Sequence, residues 1–196
     1  MTKNPFQHTR RRLAMAALTS IAAMPLFLST SPGGAQEPIV DNMTASEFVG
    51  TTWINTPGSR PVTLASRRGK VTIVHFWTLG CINCKHNLPI YNRWLKQFAA
   101  RGVEIIGVHT PETPGERLTA SVAHAVKAHH IEYPVLVDSG GANWNRWSQH
   151  YWPTVYLLDR RGHIRYRWEG ELEYAGAGGE GKMARLVEQL LKEGAG

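Results

Sequence analysis

Apolar residues fall along this chain in two rhythms, unbroken β-branched runs and stripes with helical spacing. Val71-Thr72-Ile73-Val74-His75-Phe76-Trp77 is apolar almost throughout, as expected of a strand covered on both faces. Leu88, Tyr91, Leu95 and Phe98 then recur at i, i+3, i+7 and i+10, and Gly102 closes the predicted helix. Val103–Val108 predicts a second buried strand. A Pro-containing loop (Thr110–Pro114) leads to a second helix with Leu118, Val122, Ala125, Val126 and His129 on one side. Pro134–Val137 predicts a short strand, and Ala142–His150 a short Trp-rich helix or turn. Thr154–Leu158 and His163–Trp168 predict a hairpin around Asp159–Gly162, and a Gly-rich loop follows at Gly176–Gly181. Met183, Leu186, Val187, Leu190 and Leu191 mark a closing helix. Upstream, Glu37 to Pro61 predicts an irregular lead-in around Pro57-Gly58, with extended pieces at Thr52–Asn55 and Val62–Leu64. The sum is an α/β sheet, parallel first and antiparallel at the end.

Composition changes this picture little. The 196 residues carry 42% hydrophobic and 19% charged side chains, within the range of folded chains. The formal charge is +7, but Lys3, Arg10, Arg11 and Arg12 are the only charges before Glu37, and without those four cations +3 remains. So small an excess argues against a nucleic-acid footprint. No apolar run reaches the ~20 residues of a membrane span. The first 35 residues have their own layout: Arg10–Arg12, an apolar stretch from Leu13 to Leu28, and small residues ending Gly33-Gly34-Ala35. This predicts an export signal over residues 1–35, cleaved after Ala35, with Thr9–Ala14 resembling a twin-arginine motif. An uncleaved tether is the alternative. Residues 36–196 then form one domain, in a compartment where disulfides persist.

The chain has two cysteines, in Cys81-Ile82-Asn83-Cys84, directly after the first buried strand and opening the first long helix. A thiol at a helix N-terminus faces unpaired N–H groups and the positive end of the helix dipole, which favour its thiolate. The thiolate is the species that attacks a disulfide. This context makes Cys81 the expected exposed nucleophile and Cys84 the resolving partner. A structural staple is the poorer reading, because so short a loop constrains little of the unfolded chain. A zinc site would need two further ligands, for which His86 or His109 are the nearest proposals, without metal-site spacing.

The run from Val74 to Cys84, with Pro89 in the helix, resembles the thioredoxin superfamily, and within it periplasmic TlpA-like proteins and the soluble part of DipZ proteins. Asn55–Gly58, Gly69–Val71, Gly107–Glu112, Tyr151-Trp152-Pro153 and Gly162–Tyr166 add to the likeness, which runs from about Phe48 to Leu191. The resemblance implies a thioredoxin fold with a central helix–strand insertion, a mixed sheet flanked by helices, and a redox-active Cys81–Cys84 disulfide. It makes Pro153 a cis-proline facing that disulfide, with Trp77, Trp152 and Thr154 beside it in the substrate groove. It also implies export to the periplasm, disulfide-bearing exported proteins as partners, a membrane-bound electron donor, no bound cofactor, and a place in cytochrome c maturation. His75 departs from the family, which commonly has a buried Asp there to assist proton transfer to the resolving cysteine. A neutral His could do the same, although a core histidine without a role is the plainer expectation.

Two other functions fit the residues less well. Thr78-Leu79-Gly80-Cys81 has the Thr-x-x-Cys spacing of peroxiredoxins, which suggests a thiol peroxidase. A non-enzymatic metal-binding module would use Cys81, Cys84 and a histidine such as His86, but methionines are too few for a soft-metal site.

Overall fold

The computed structural model describes residues 36–194, and the predicted export segment lies outside them. Its framework is a seven-stranded sheet in the order β1-β7-β6-β3-β4-β5-β2. The strands are β1 (Ile39–Thr44), β2 (Trp53–Ile54), β3 (Val71–Trp77), β4 (Val103–His109), β5 (Val135–Val137), β6 (Thr154–Leu158) and β7 (His163–Glu169). The helices are α1 (Ile82–Phe98), α2 (Thr119–Ala128), α3 (Ala142–Arg146) and α4 (Gly179–Lys192). β3, β4 and β5 run parallel, β6 is antiparallel to β3, and β7 is antiparallel to β6. The α2–β5 unit between the two halves is the expected insertion. No helix among the described residues is long and apolar enough to cross a membrane.

β3 is apolar on both faces because both faces are covered. Val71, Ile73 and Trp77 pack with Leu88, Tyr91 and Phe98 of α1 and with Met183, Val187 and Leu190 of α4. Val74 and Phe76 point the other way, onto Phe48, Val62, Leu64 and Trp147. The lead-in segment therefore covers the second face of the sheet. Val62–Leu64 is not a strand, contrary to expectation: Val62 and Leu64 are buried there as loop anchors.

Three further expectations change. β1 was not anticipated, because Ile-Val-Asp-Asn-Met-Thr is half polar and exposed along most of its length, as befits an edge strand. Leu118 does not join the apolar side of α2; it precedes the helix and is 65% exposed, leaving Val122 and Val126 as the buried pair. The Gly-rich loop ends earlier than expected, α4 beginning at Gly179. A Cβ at Gly179 would lie 2.5 Å from the Leu172 carbonyl and 2.7 Å from Trp168, so the close packing of this helix start requires glycine.

Candidate active site

The parallel strands all end at one edge of the sheet, and the loops that follow them meet there. Phe76 pairs with Thr154, so the chain leaving β3 towards the cysteines passes the chain entering β6 from Pro153. Trp77 pairs with His109, which brings the Thr110–Arg117 loop to the same edge.

Cys81 caps α1 in extended conformation, and the Cys84 N–H points at its Sγ (3.0 Å). The two cysteines form a disulfide with Cα atoms 5.2 Å apart. Cys81 is half-buried and Cys84 is 1% exposed, while Ile82 between them is 60% exposed. The sulfur at the helix mouth is thus the accessible one, and it sits where N–H dipoles favour a thiolate. The Trp152–Pro153 peptide is cis. Thr154 is buried, its hydroxyl donating to the Tyr151 carbonyl (2.9 Å). Trp152 is half-buried and stacks on Trp144 with ring centroids 3.8 Å apart. Trp77 is placed in the core at 1% exposure, edge-on to His109, so it supports the cysteine loop from below and lines no open surface.

Three polar residues that the sequence did not single out hold these loops. Asn87, fully buried one turn beyond Cys84, accepts from the Leu172 N–H (2.9 Å) and donates to the Gly170 carbonyl (3.3 Å). Gly170 N–H in turn donates to the Pro153 carbonyl (2.7 Å). Asp138 accepts from Thr110 Oγ1 (3.0 Å) and from the N–H groups of Asn143 and Trp144 (3.1 and 3.0 Å), fixing the short helix that carries Trp144. Glu116 accepts from the Thr78 hydroxyl and the Gly80 N–H, just ahead of Cys81. Asn87 leaves one sequence signal, a polar residue in the apolar stripe Cys84, Leu88, Tyr91. Asp138 leaves another, an Asp ahead of a short helix in the manner of a cap. Glu116 has none, since the partners that tie it to the cysteine loop, Thr78 and Gly80, lie 36 or more residues earlier.

His75 is fully buried, stacked on Tyr91 at 4.2 Å and hydrogen-bonded through Nε2 to Tyr133 Oη (3.0 Å). Burial pushes its pKa down to about 3, so the ring is neutral at physiological pH. Gly107 lies opposite it on β4, and a Cβ there would stand 3.0 Å from His75 Nε2. His109, also buried, is pushed down to about 4 mainly by desolvation, against the opposing pull of Glu116 and Asp138. Among the described residues no group of three or more His, Cys, Asp or Glu is placed to hold a metal ion. His86 faces Glu171 at 3.0 Å instead.

A cysteine pair opening the first long helix of this sheet, with a cis-proline entering the neighbouring strand, defines the class: a thioredoxin-like redoxin. The chain belongs to the AhpC/TSA family, whose model matches residues 44–167. It is 38% identical to Protein DipZ of Mycobacterium tuberculosis over 151 residues, 76% of this chain but only 21% of that protein's length. It is 25% identical to the thiol-disulfide oxidoreductase YkuV of Bacillus subtilis over 141 residues, 72% of this chain and 88% of that one. A DsbF homologue from Corynebacterium diphtheriae superposes with a TM-score of 0.61 at 18% identity, covering 81% of this chain and 96% of that structure. A thioredoxin family protein from Chlorobium tepidum does so at 0.58 and 23%, covering 76% and 97%. These last two likenesses speak to the fold.

Proposed function

We propose that this protein is an exported thiol–disulfide oxidoreductase that reduces disulfides in partner proteins. The observation that carries the reading is the half-buried Cys81 sulfur at the mouth of α1, bonded to a fully buried Cys84. In the reduced protein the Cys81 thiolate attacks a partner disulfide, forming a mixed disulfide and expelling the partner's other sulfur as thiolate. Cys84 loses its proton and attacks Cys81 Sγ, which frees the second partner thiolate and closes the Cys81–Cys84 bond. Two electrons pass to the partner, and a dithiol donor must return the pair to its reduced state. A membrane-bound donor is what the TlpA-like and DipZ-like resemblance implies. Half-buried Trp152, at the cis peptide, lines the wall along which the substrate chain lies, and buried Pro153 and Thr154 hold it from behind. Service in cytochrome c maturation rests on the TlpA-like resemblance alone.

Disulfide reduction is favoured over peroxide reduction by Thr78. Its hydroxyl is fully buried and committed to Glu116, and so is not available to orient a peroxide at Cys81.

The test is the equilibrium of the pair in glutathione or dithiothreitol buffers, with insulin disulfide as model substrate. A two-electron transition near or below ~−250 mV supports a reductant. Cys84→Ser should accumulate the mixed disulfide and Cys81→Ser should form none. A transition near ~−120 mV would reverse the direction, and no transition would overturn the reading.

A further inference from the structure

We propose that Glu116 is a positioning residue of the cysteine pair: its carboxylate, held on the Gly80 amide, disfavours the Cys81 thiolate and keeps the pair reducing. The inference deepens the oxidoreductase reading and rests on it.

Three donors converge on this one side chain. The Thr78 hydroxyl and the Glu112 N–H (3.1 Å) donate to Oε2, and the Gly80 N–H (3.1 Å) donates to Oε1. Thr78 is fully buried and Glu116 half-buried, so the carboxylate is held in one place and partly shielded from solvent. A Cβ at Gly80 would stand 2.6 Å from Oε1, which makes the missing side chain at position 80 part of the arrangement. Gly80 directly precedes Cys81, the cap of α1. An anion hydrogen-bonded to the residue before the cap lies close to the N-terminal end of α1, whose positive dipole would stabilise the Cys81 thiolate.

Among the described residues Glu116 is the carboxylate hydrogen-bonded to the loop ahead of Cys81. Burial pushes its pKa up, but the bonds from Thr78, Glu112 N–H and Gly80 N–H, with His109 nearby, hold it below the ordinary carboxylate value. His109 on β4 is neutral by burial, and Asp138 beyond it is occupied by Thr110, Asn143 and Trp144. The first turn of α1 has no acidic residue; it carries Lys85 and His86, the latter facing Glu171. A fixed negative charge beside a thiol raises its pKa, and a less stable thiolate makes the dithiol form less stable relative to the disulfide. The pair then gives up electrons more readily, the opposite of strong oxidants, whose reduced form is stabilised.

The test compares wild type with Glu116→Gln, which keeps the shape and removes the charge. Two quantities are read: the pH profile of Cys81 alkylation in the reduced protein, and the equilibrium constant against glutathione. The alkylation midpoint should fall by about one pH unit, and the equilibrium, read at a pH above both midpoints, should shift about tenfold towards the dithiol. Glu112→Gln removes an exposed carboxylate that makes no hydrogen bond or ion pair among the described residues, and should leave both readouts near wild type. Gly80→Ala keeps every charge but displaces Oε1 from the amide, and should move both readouts in the direction of Glu116→Gln. A folded Glu116→Gln with wild-type midpoint and equilibrium would overturn the inference, as would an equal shift in Glu112→Gln. A wild-type pair with no two-electron transition would instead overturn the oxidoreductase reading, and the inference with it.

Discussion

Asn87 of α1 and Pro153 are joined through a single residue: the Asn87 amide donates to the Gly170 carbonyl, and the Gly170 N–H donates to the Pro153 carbonyl. The helix that carries the cysteines and the loop that faces them are therefore held by one buried side chain. Asn87→Ala leaves the Leu172 N–H buried without a partner and should cost about 2 kcal/mol. Insulin reduction should slow as well, because the Pro153 loop loses its anchor. Urea unfolding of the oxidised protein gives the first quantity. A change within ~0.5 kcal/mol, that of an ordinary surface substitution, would show that the link does not hold the fold.

His75 should make stability fall as the pH drops. An unperturbed imidazole binds a proton at 6.5, whereas the folded ring resists it to about 3. Between those values the unfolded chain binds the extra proton, so stability is lost by up to about 1.4 kcal/mol per pH unit. His109, held to about 4, adds to the slope in the same direction. In His75→Gln the slope between pH 6 and pH 4 should lose one proton equivalent. Urea midpoints across that range check this, and an unchanged slope would mean the buried ring does not resist protonation.

Trp144 should act on substrate binding and leave the redox pair alone. Its ring is stacked on Trp152, next to the cis peptide, and its backbone is fixed by Asp138. Trp144→Ala removes a stacking partner worth ~1 kcal/mol, so KM for a peptide disulfide should rise about fivefold. The glutathione equilibrium of the cysteines should not move. A shift in that equilibrium with KM unchanged would place Trp144 in the redox machinery instead.

Gly179→Ala should destabilise the fold by about 2 to 3 kcal/mol through overpacking against the Leu172 carbonyl and Trp168. Gly181→Ala, two residues on, is the control. A Cβ there meets only the end of the Arg185 side chain at 3.5 Å. Thermal unfolding of the two variants should separate clearly, and coincident curves would contradict the close approach.

What the sequence made legible follows from which interactions are local. β3, β4 and the β6–β7 hairpin are read from runs such as Val103–Val108 because strands inside a sheet must be apolar on each covered face. The α1 stripe and the cysteine motif are equally local, as is Gly102 at φ +90° ending that helical segment. β1 was illegible because an edge strand needs little burial, so its residues lack the apolar run. Leu118 misled for the opposite reason: its spacing fits α2, but the helix begins one residue later and leaves it outside. The tethers Asn87, Asp138 and Glu116 are single polar residues whose meaning depends on partners 85, 28 and 38 positions away. No periodicity encodes such pairings.

The two margins of the sheet are unequal. β2 closes one side with only two residues, too short to template another strand. β1 closes the other with six, its Val40 76% and Met43 65% exposed and no further strand beside it among the described residues. Two features blunt that margin: Asp41 within it, and a break in register between Val40 and Met43. Resistance to edge-to-edge aggregation is therefore concentrated in the first strand of the sheet, far from the cysteines, and is set by a charge and an irregularity that catalysis does not use.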